Sequence, residues 1–347
     1  MSALDGTSPT GQLEADGTGY GGRPYGLEPL LLPPAPVPYR VDGPLARRYA
    51  DLLGTGPGPE TGPAAGPGAP GGADCAERLF WFRWITGHQV TFLLWQELAR
   101  RAAEAAEPTA PAPASADEVA AAARLVRGYS AMLLYTASCT RDVYHRVIRP
   151  SMALHHPAFS GAWARDYTPV RPLLRGRLPA AWAGRADALL GECALNETVH
   201  EGIAEKLVPG APSLLQAAAG DGRALPRDVR AVLFDLYFLT VHAPCPPAEA
   251  AVQLLRRVRA VREDLAANGL YPAGASSRAE RPAALRAEPV EEIEHTVSRL
   301  LGRLARDSVG CSGPGPPGTD PPTGPARDPS PPRPFEHPLE GSGCHGA

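Results

Sequence analysis

Residues 77–105 read ERLFWFRWITGHQVTFLLWQELARRAAEA. Large apolar residues recur at Leu79, Phe80, Phe82, Trp84, Ile85, Phe92, Leu93, Leu94, Trp95 and Leu98. That spacing predicts a helix surrounded by other structure on nearly every side, not a half-exposed one. His88, with Gln89 beside it, interrupts the run. Three of the chain's five tryptophans, Trp81, Trp84 and Trp95, lie on the same stretch. A polar, titratable pair inside so apolar a helix needs partners.

Further helical patterns follow. Ser115 or Asp117 caps a second helix whose apolar positions include Val119, Ala122, Leu125, Val126, Tyr129 and Met132. Pro150 is expected to end or kink it. Residues 151–178 read as an irregular loop rich in aromatics and arginines, the composition of a binding element. Helices are expected at about 179–208, 226–241, 248–269 and 289–307. No segment alternates with a strand period over more than a few residues. The fold expected is therefore all-α, a helical bundle in one catalytic domain over residues 74–307. Residues 1–73 are expected to be mostly flexible. They carry an extended apolar segment at 29–40, a short helix at 44–53 and a Gly/Pro-rich insertion at 54–73, with Asp74 as the cap of the first long helix. Residues 308–347 read as a disordered tail.

Composition excludes several functions. The net charge of −3 gives no basic field for nucleic acid. The six cysteines form no Cys-x-x-Cys pair, so neither a zinc ribbon nor a dense disulfide framework is expected. No signal peptide or membrane span is read, which implies a cytoplasmic protein. There is no phosphate-binding glycine loop, no nucleophile elbow and no His-Glu-x-x-His zinc motif. Among the nine histidines, His88 and His200 stand out because each lies mid-helix among apolar neighbours. Either could simply be hydrogen-bonded in a core. Two such residues on two helices of an all-α protein also suit a haem pocket, where one imidazole holds iron and the other faces the open coordination position.

The stretch HQVTFLLW resembles the distal helix of the tryptophan 2,3-dioxygenase superfamily. The loop FSGAWARDY resembles that superfamily's substrate loop, with Phe159 and Arg165 at the same separation as its phenylalanine and arginine. HEGIAEKLVPGAPSLL resembles its iron-ligand segment. Within the superfamily the closer likeness is to bacterial haem-dependent tyrosine hydroxylases of natural-product pathways, over roughly residues 75–270. The resemblance implies haem b with His200 as iron ligand, Trp95 in the cofactor pocket and His88 as distal acid–base residue. It also implies Arg165 as the clamp on the substrate carboxylate, with Ser160, Phe159 and Trp84 completing the substrate site. Asp166 or Asn196 could fix the outer nitrogen of the ligating histidine. A sister enzyme acting on 3-methyltyrosine holds its haem covalently through a His-x-x-x-Cys pattern. Here His242 and Cys245 are one residue closer, so non-covalent haem is expected.

The implied reaction is conversion of L-tyrosine to L-DOPA with hydrogen peroxide, or with dioxygen plus electrons, by a homodimer or higher homo-oligomer. Competing readings keep the fold and change the substrate to a substituted tyrosine or to tryptophan. Others make the chain a non-catalytic haem-binding protein or a plain helical interaction module.

Overall fold

A computed structural model describes residues 27–34, 36, 73–107, 115–218, 225–272 and 279–308 of the 347-residue chain. Helix dominates these residues, as an all-α bundle requires. The short helix expected at 44–53, nearly all of the insertion after it and the tail from 309 lie outside them.

The first long helix, α1, spans Ala73–Ala106. Between Leu79 and Leu98 every side chain is buried except Trp81, Trp84, His88 and Glu97, which are partly so. Asp74 lies inside its first turn and does not precede it. Helix α2, Ala116–Thr136, is capped by Ser115: Glu118 N donates to Ser115 Oγ at 3.2 Å, and Ser115 N donates to Glu118 Oε2 at 2.6 Å. Gly87 lets the two helices approach. A Cβ there would lie 2.4 Å from Thr136 Cγ2 and 3.1 Å from Tyr135 Cδ1.

The expected run from α2 to Pro150 breaks earlier, after Thr136. Lys206 Nζ reaches in from another helix and donates to Ala137 O at 2.6 Å and Cys139 O at 2.8 Å. Carbonyls left over at the helix end are satisfied by this tertiary contact, and Thr140 caps the next segment. That segment, α3, is composite: Arg141–Val143, a π-helical stretch Tyr144–Ile148, and Arg149–His155. Pro150 opens the last part instead of ending a helix, since the first turn needs no N–H from it.

Residues 151–178 are more regular than their composition suggested. They hold the end of α3, a 3₁₀ turn at Gly161–Trp163 and α4 at Tyr167–Leu174. A second 3₁₀ turn, Ala180–Trp182, precedes α5 at Asp187–Leu207. Then come α6 (Leu214–Ala217), α7 (Arg227–Tyr237), α8 (Pro247–Asn268) and α9 (Glu288–Ser308). Helix α2 packs on α1, α5 and α9, while α8 packs on α1 and α9.

Two short strands depart from the all-helical expectation. β1, Leu30–Leu32, pairs in parallel with β2, Thr240–His242. The apolar segment around Leu30 is extended as expected, and Leu30 and Leu32 are fully buried. Gln253 of α8 covers the free edge of β1, accepting from Leu31 N and donating to Leu31 O, each at 2.8 Å. The side-chain amide thus stands in for a third strand. Leu239 joins α7 to β2 in a left-handed conformation, φ 53°, which is unfavourable for a side chain of this kind.

The described residues belong to one unit within Met1–Cys311; the second unit, Ser312–Ala347, lies outside them. No described helix is long and apolar enough to cross a membrane.

Candidate functional site

Helical geometry lines up Trp81, Trp84, His88, Phe92 and Trp95 along one face of α1. His88 Nδ1 lies 2.6 Å from the Trp84 carbonyl oxygen. A carbonyl only accepts, so Nδ1 carries the proton and Nε2 holds the lone pair in the neutral ring. The ring stacks on Phe238 at 4.5 Å and 25°, and Trp84 lies 4.4 Å away. Burial among these rings pushes its pKa down to about 4, against the backbone hydrogen bond that favours the cation. His88 is therefore a free base at neutral pH.

The aromatic wall continues outward from Phe238. Phe159 stacks on Phe234 at 5.6 Å and 13°, and meets Tyr237 at 4.8 Å. Phe92 bridges His88 to Trp95, with centroids at 6.3 and 5.7 Å. Trp95 also touches Tyr129 and Tyr167. The indole nitrogens of Trp95 and Trp163 are buried without a hydrogen-bond partner among the described residues. Four of the expected site residues, His88, Trp84, Phe159 and Trp95, thus belong to one cluster.

Ser160 acts locally, where its Oγ accepts from Ala162 N at 3.3 Å and caps the 3₁₀ turn. Arg165 is exposed, and its Nε donates to Asp235 Oδ2 at 3.0 Å. Asp235 follows Phe234 on α7, so the guanidinium is tied to the helix that carries the aromatic wall. The same Oδ2 lies 3.3 Å from His242 Nδ1. His242 Nε2 in turn lies 3.2 Å from Asp166 Oδ2, and Gln96 Nε2 donates to Asp166 Oδ1 at 2.9 Å. Burial opposes charge on His242, but the hydrogen bonds to Asp166 and Asp235 outweigh it and raise the pKa to about 9. Arg165, Asp166, Gln96 and His242 line a cavity of about 130 Å³ together with Pro34 and Pro36.

His200 lies on an exposed face of α5, and α5 packs on α2. Desolvation lowers its pKa, yet the residue, mid-helix as expected, is exposed and not buried. Neither expected orienting partner reaches it. Asn196 Nδ2 donates to Ser130 Oγ at 2.9 Å, and Asp166 holds His242.

Sequence reasoning missed Asp235, Gln96 and Phe238, and weighed His242 only with Cys245, as a thioether pattern one residue too short. His242 is the last residue of β2. The available signal was the pair His242 and Cys245 bracketing a proline. Cys245 is buried and forms no disulfide among the described residues, with its Sγ 3.8 Å from Gln253 Nε2. Among the described residues no cluster of His, Cys, Asp and Glu forms a ready-made metal site.

No curated protein matches the chain. Residues 44–192, less than half of it, match the model of a protein family described as SfmD 3-methyl-L-tyrosine peroxygenase. That stretch contains His88, Phe159, Ser160, Arg165 and Asp166, and ends before His200 and His242; over it the chain is similar to a peroxygenase of a tyrosine derivative.

Proposed function

We propose that this chain is a haem-dependent peroxygenase that hydroxylates the aromatic ring of tyrosine or a ring-substituted tyrosine with hydrogen peroxide. One observation carries the reading. His88 is a neutral imidazole with its Nε2 lone pair free, set in an aromatic wall, inside the stretch similar to a peroxygenase family. The family description favours 3-methyl-L-tyrosine; conversion of L-tyrosine to L-DOPA is the reading that the sequence resemblance implied.

The donor set suits haem. A neutral imidazole flanked by Trp84, Phe92 and Phe238 offers an apolar face and one basic nitrogen. Haem would supply the redox chemistry that transfers one peroxide oxygen to the ring and releases the other as water. The chain's own residues do the rest. His88 Nε2 takes the peroxide proton and returns it to the departing oxygen, work that needs the free base its surroundings impose. Trp84 and Phe159 hold the aromatic ring against the wall, and close positioning of the reacting carbon lowers the barrier. Arg165 binds the substrate carboxylate through its terminal nitrogens, while Asp235 holds Nε.

Two histidines compete for the iron. His200 is the ligand that the sequence resemblance implied. His242 is the other candidate, but carboxylates of Asp235 and Asp166 contact both of its ring nitrogens and raise its pKa to about 9, so it must lose a proton and one carboxylate partner before it can hold iron. Cys245, three residues on, sits against Gln253 and the Pro246 carbonyl. Haem b held without a thioether bond is therefore expected, and acid–acetone should extract it completely.

The test is direct. Protein loaded with haemin should show a Soret band and should add one oxygen atom to L-tyrosine or 3-methyl-L-tyrosine only when peroxide is present. Replacing His88 with Ala should lower turnover ~10²–10⁴-fold while the Soret band stays. Comparing haemin retention in His200→Ala and His242→Ala identifies the ligand. Haem retained without any oxygenated product would make the chain a haem carrier, and a colourless protein would remove the proposal.

A further inference from the structure

A different face of α1, about a third of a turn from His88, carries Phe82, Thr86 and Gln89. These residues line an open cavity of about 240 Å³ together with Arg256, Arg257, Arg259 and Glu263 of α8 and with Glu28.

Arg257 is only 4 % exposed. Its Nε donates to Gln89 Oε1 at 2.8 Å, Nη1 to Gln253 O at 3.2 Å, and Nη2 to Pro29 O at 3.0 Å and Glu28 O at 3.2 Å. Every one of these acceptors is neutral. No carboxylate among the described residues hydrogen-bonds to this buried cation. Its neighbours differ: Arg256 pairs with Glu28, and Arg259 pairs with Glu263 at 3.0 Å. Three guanidinium groups thus face two carboxylates, and the unmatched charge is the buried one. Desolvation pulls its pKa down to about 10, although the Glu28 carboxylate, which pairs with Arg256, acts against the fall.

We propose that this cavity is an anion-binding site in which a small carboxylate or phosphate oxyanion sits against Arg257, with Arg256 and Arg259 at its mouth. The four hydrogen bonds of Arg257 leave it one N–H, on Nη1, for such an oxyanion, and in a buried setting little water competes for it. The Thr86 hydroxyl lies on the same lining and can donate to the ligand. Gln89 links the cavity to the aromatic wall: its Oε1 accepts from Arg257, and its Nε2 donates to the Phe238 carbonyl at 2.9 Å. An occupant would therefore stand two hydrogen bonds from the residue whose ring stacks on His88. The site is independent of the proposed reaction.

Thermal unfolding of the full chain at fixed ionic strength tests it, with inorganic phosphate in one series and acetate in another. A saturable rise in Tm with either ion is expected, and the preferred ion identifies the oxyanion class. Arg257→Gln should abolish the rise. That variant could also misfold, because Arg257 ties Glu28 and Pro29 to α8. Arg256→Gln with Arg259→Gln, and separately Thr86→Val, should keep the wild-type circular dichroism spectrum and weaken the apparent Kd at least ~10-fold. No saturable rise with either ion, or unchanged Kd in a folded Arg257→Gln or in both other variants, overturns the site.

Discussion

His88 and Lys206 show how burial can dominate the chemistry of a single residue. His88 is lowered to about 4 from the ordinary 6.5 by desolvation. The unfolded chain therefore binds more protons than the folded one between those values. Stability is complete above about pH 6.5 and falls as pH drops toward 4, by up to ~3 kcal/mol for a shift of this size. Peroxygenase turnover should follow the same residue: flat with respect to His88 from pH 6 to 8, and declining below about 5 as Nε2 takes a proton. A kcat profile that declines instead around pH 6.5 would show that His88 titrates as an ordinary histidine. Lys206, the only lysine in the chain, is 2 % exposed and lowered to about 8 from 10.5, chiefly by desolvation. Here the unfolded chain binds the extra proton between pH 8 and 10.5, so stability should rise across that window by up to ~3 kcal/mol. Other groups titrate there too. The measurement is the difference in urea-unfolding free energy between wild type and Lys206→Met at pH 7.5 and 10, and an equal difference at both values would rule the effect out.

At the scale of elements, glycines decide how closely the helices approach. Gly87 and Gly128 both sit where an added Cβ would collide, but with different neighbours. At Gly87 the contact is Thr136 Cγ2 at 2.4 Å, on a stiff β-branched side chain; at Gly128 it is the tip of Leu304 at 2.5 Å. Leucine can change rotamer and threonine in a helix has little room to do so. Gly87→Ala should therefore destabilise by ~1–3 kcal/mol and displace His88, whereas Gly128→Ala should be milder, offset by a helix-propensity gain of up to ~1 kcal/mol. Urea midpoints of the two variants measure the contrast, and equal losses would contradict it. Thr136 and Tyr135 are nearly fifty residues away in sequence, so nothing near Gly87 announced this contact. The same limit explains what was and was not legible beforehand. Apolar periodicity and caps are local, which is why α1, α2, α8 and α9 could be read from the chain. The break after Thr136 depends on Lys206 reaching across from α5, and β1 depends on β2 more than two hundred residues later. At the site, the aromatic stripe of α1 was visible because it is one helix face. The Arg165–Asp235–His242–Asp166–Gln96 network was not, because α1, α7, β2 and the loop before α4 each contribute to it. His200 shows the opposite failure: apolar neighbours in sequence did not mean burial, since α5 turns that position outward.

For the whole molecule, the contact that ties α1 to the C-terminal end of α8 is Arg83 with Asp264. Both side chains are fully buried, and 181 residues separate them. Arg83 Nε donates to Asp264 Oδ2 at 2.8 Å and Nη2 to Oδ1 at 3.2 Å. The remaining guanidinium donors reach Ser138 Oγ, Leu270 O and Gly269 O, while the Tyr135 hydroxyl donates to Asp264 Oδ2 at 2.6 Å. One cation thus gathers α1, the break after α2 and the C-terminal end of α8, the frame against which the His88 face is held. Fully satisfied, such a network specifies a unique packing. Half of it is worse than none, because the surviving charge stays buried without a partner. Arg83→Met and Asp264→Leu should each destabilise by ~3–5 kcal/mol. The double variant should lose clearly less than the sum, since it leaves no bare charge. A double-mutant cycle from urea unfolding gives the coupling directly. Additive losses would mean that the pair contributes packing alone and that the bundle is held by its apolar core. The coupling should also appear at the site: single variants that leave one charge bare should loosen α1 and weaken haemin retention, and the double variant should recover part of it.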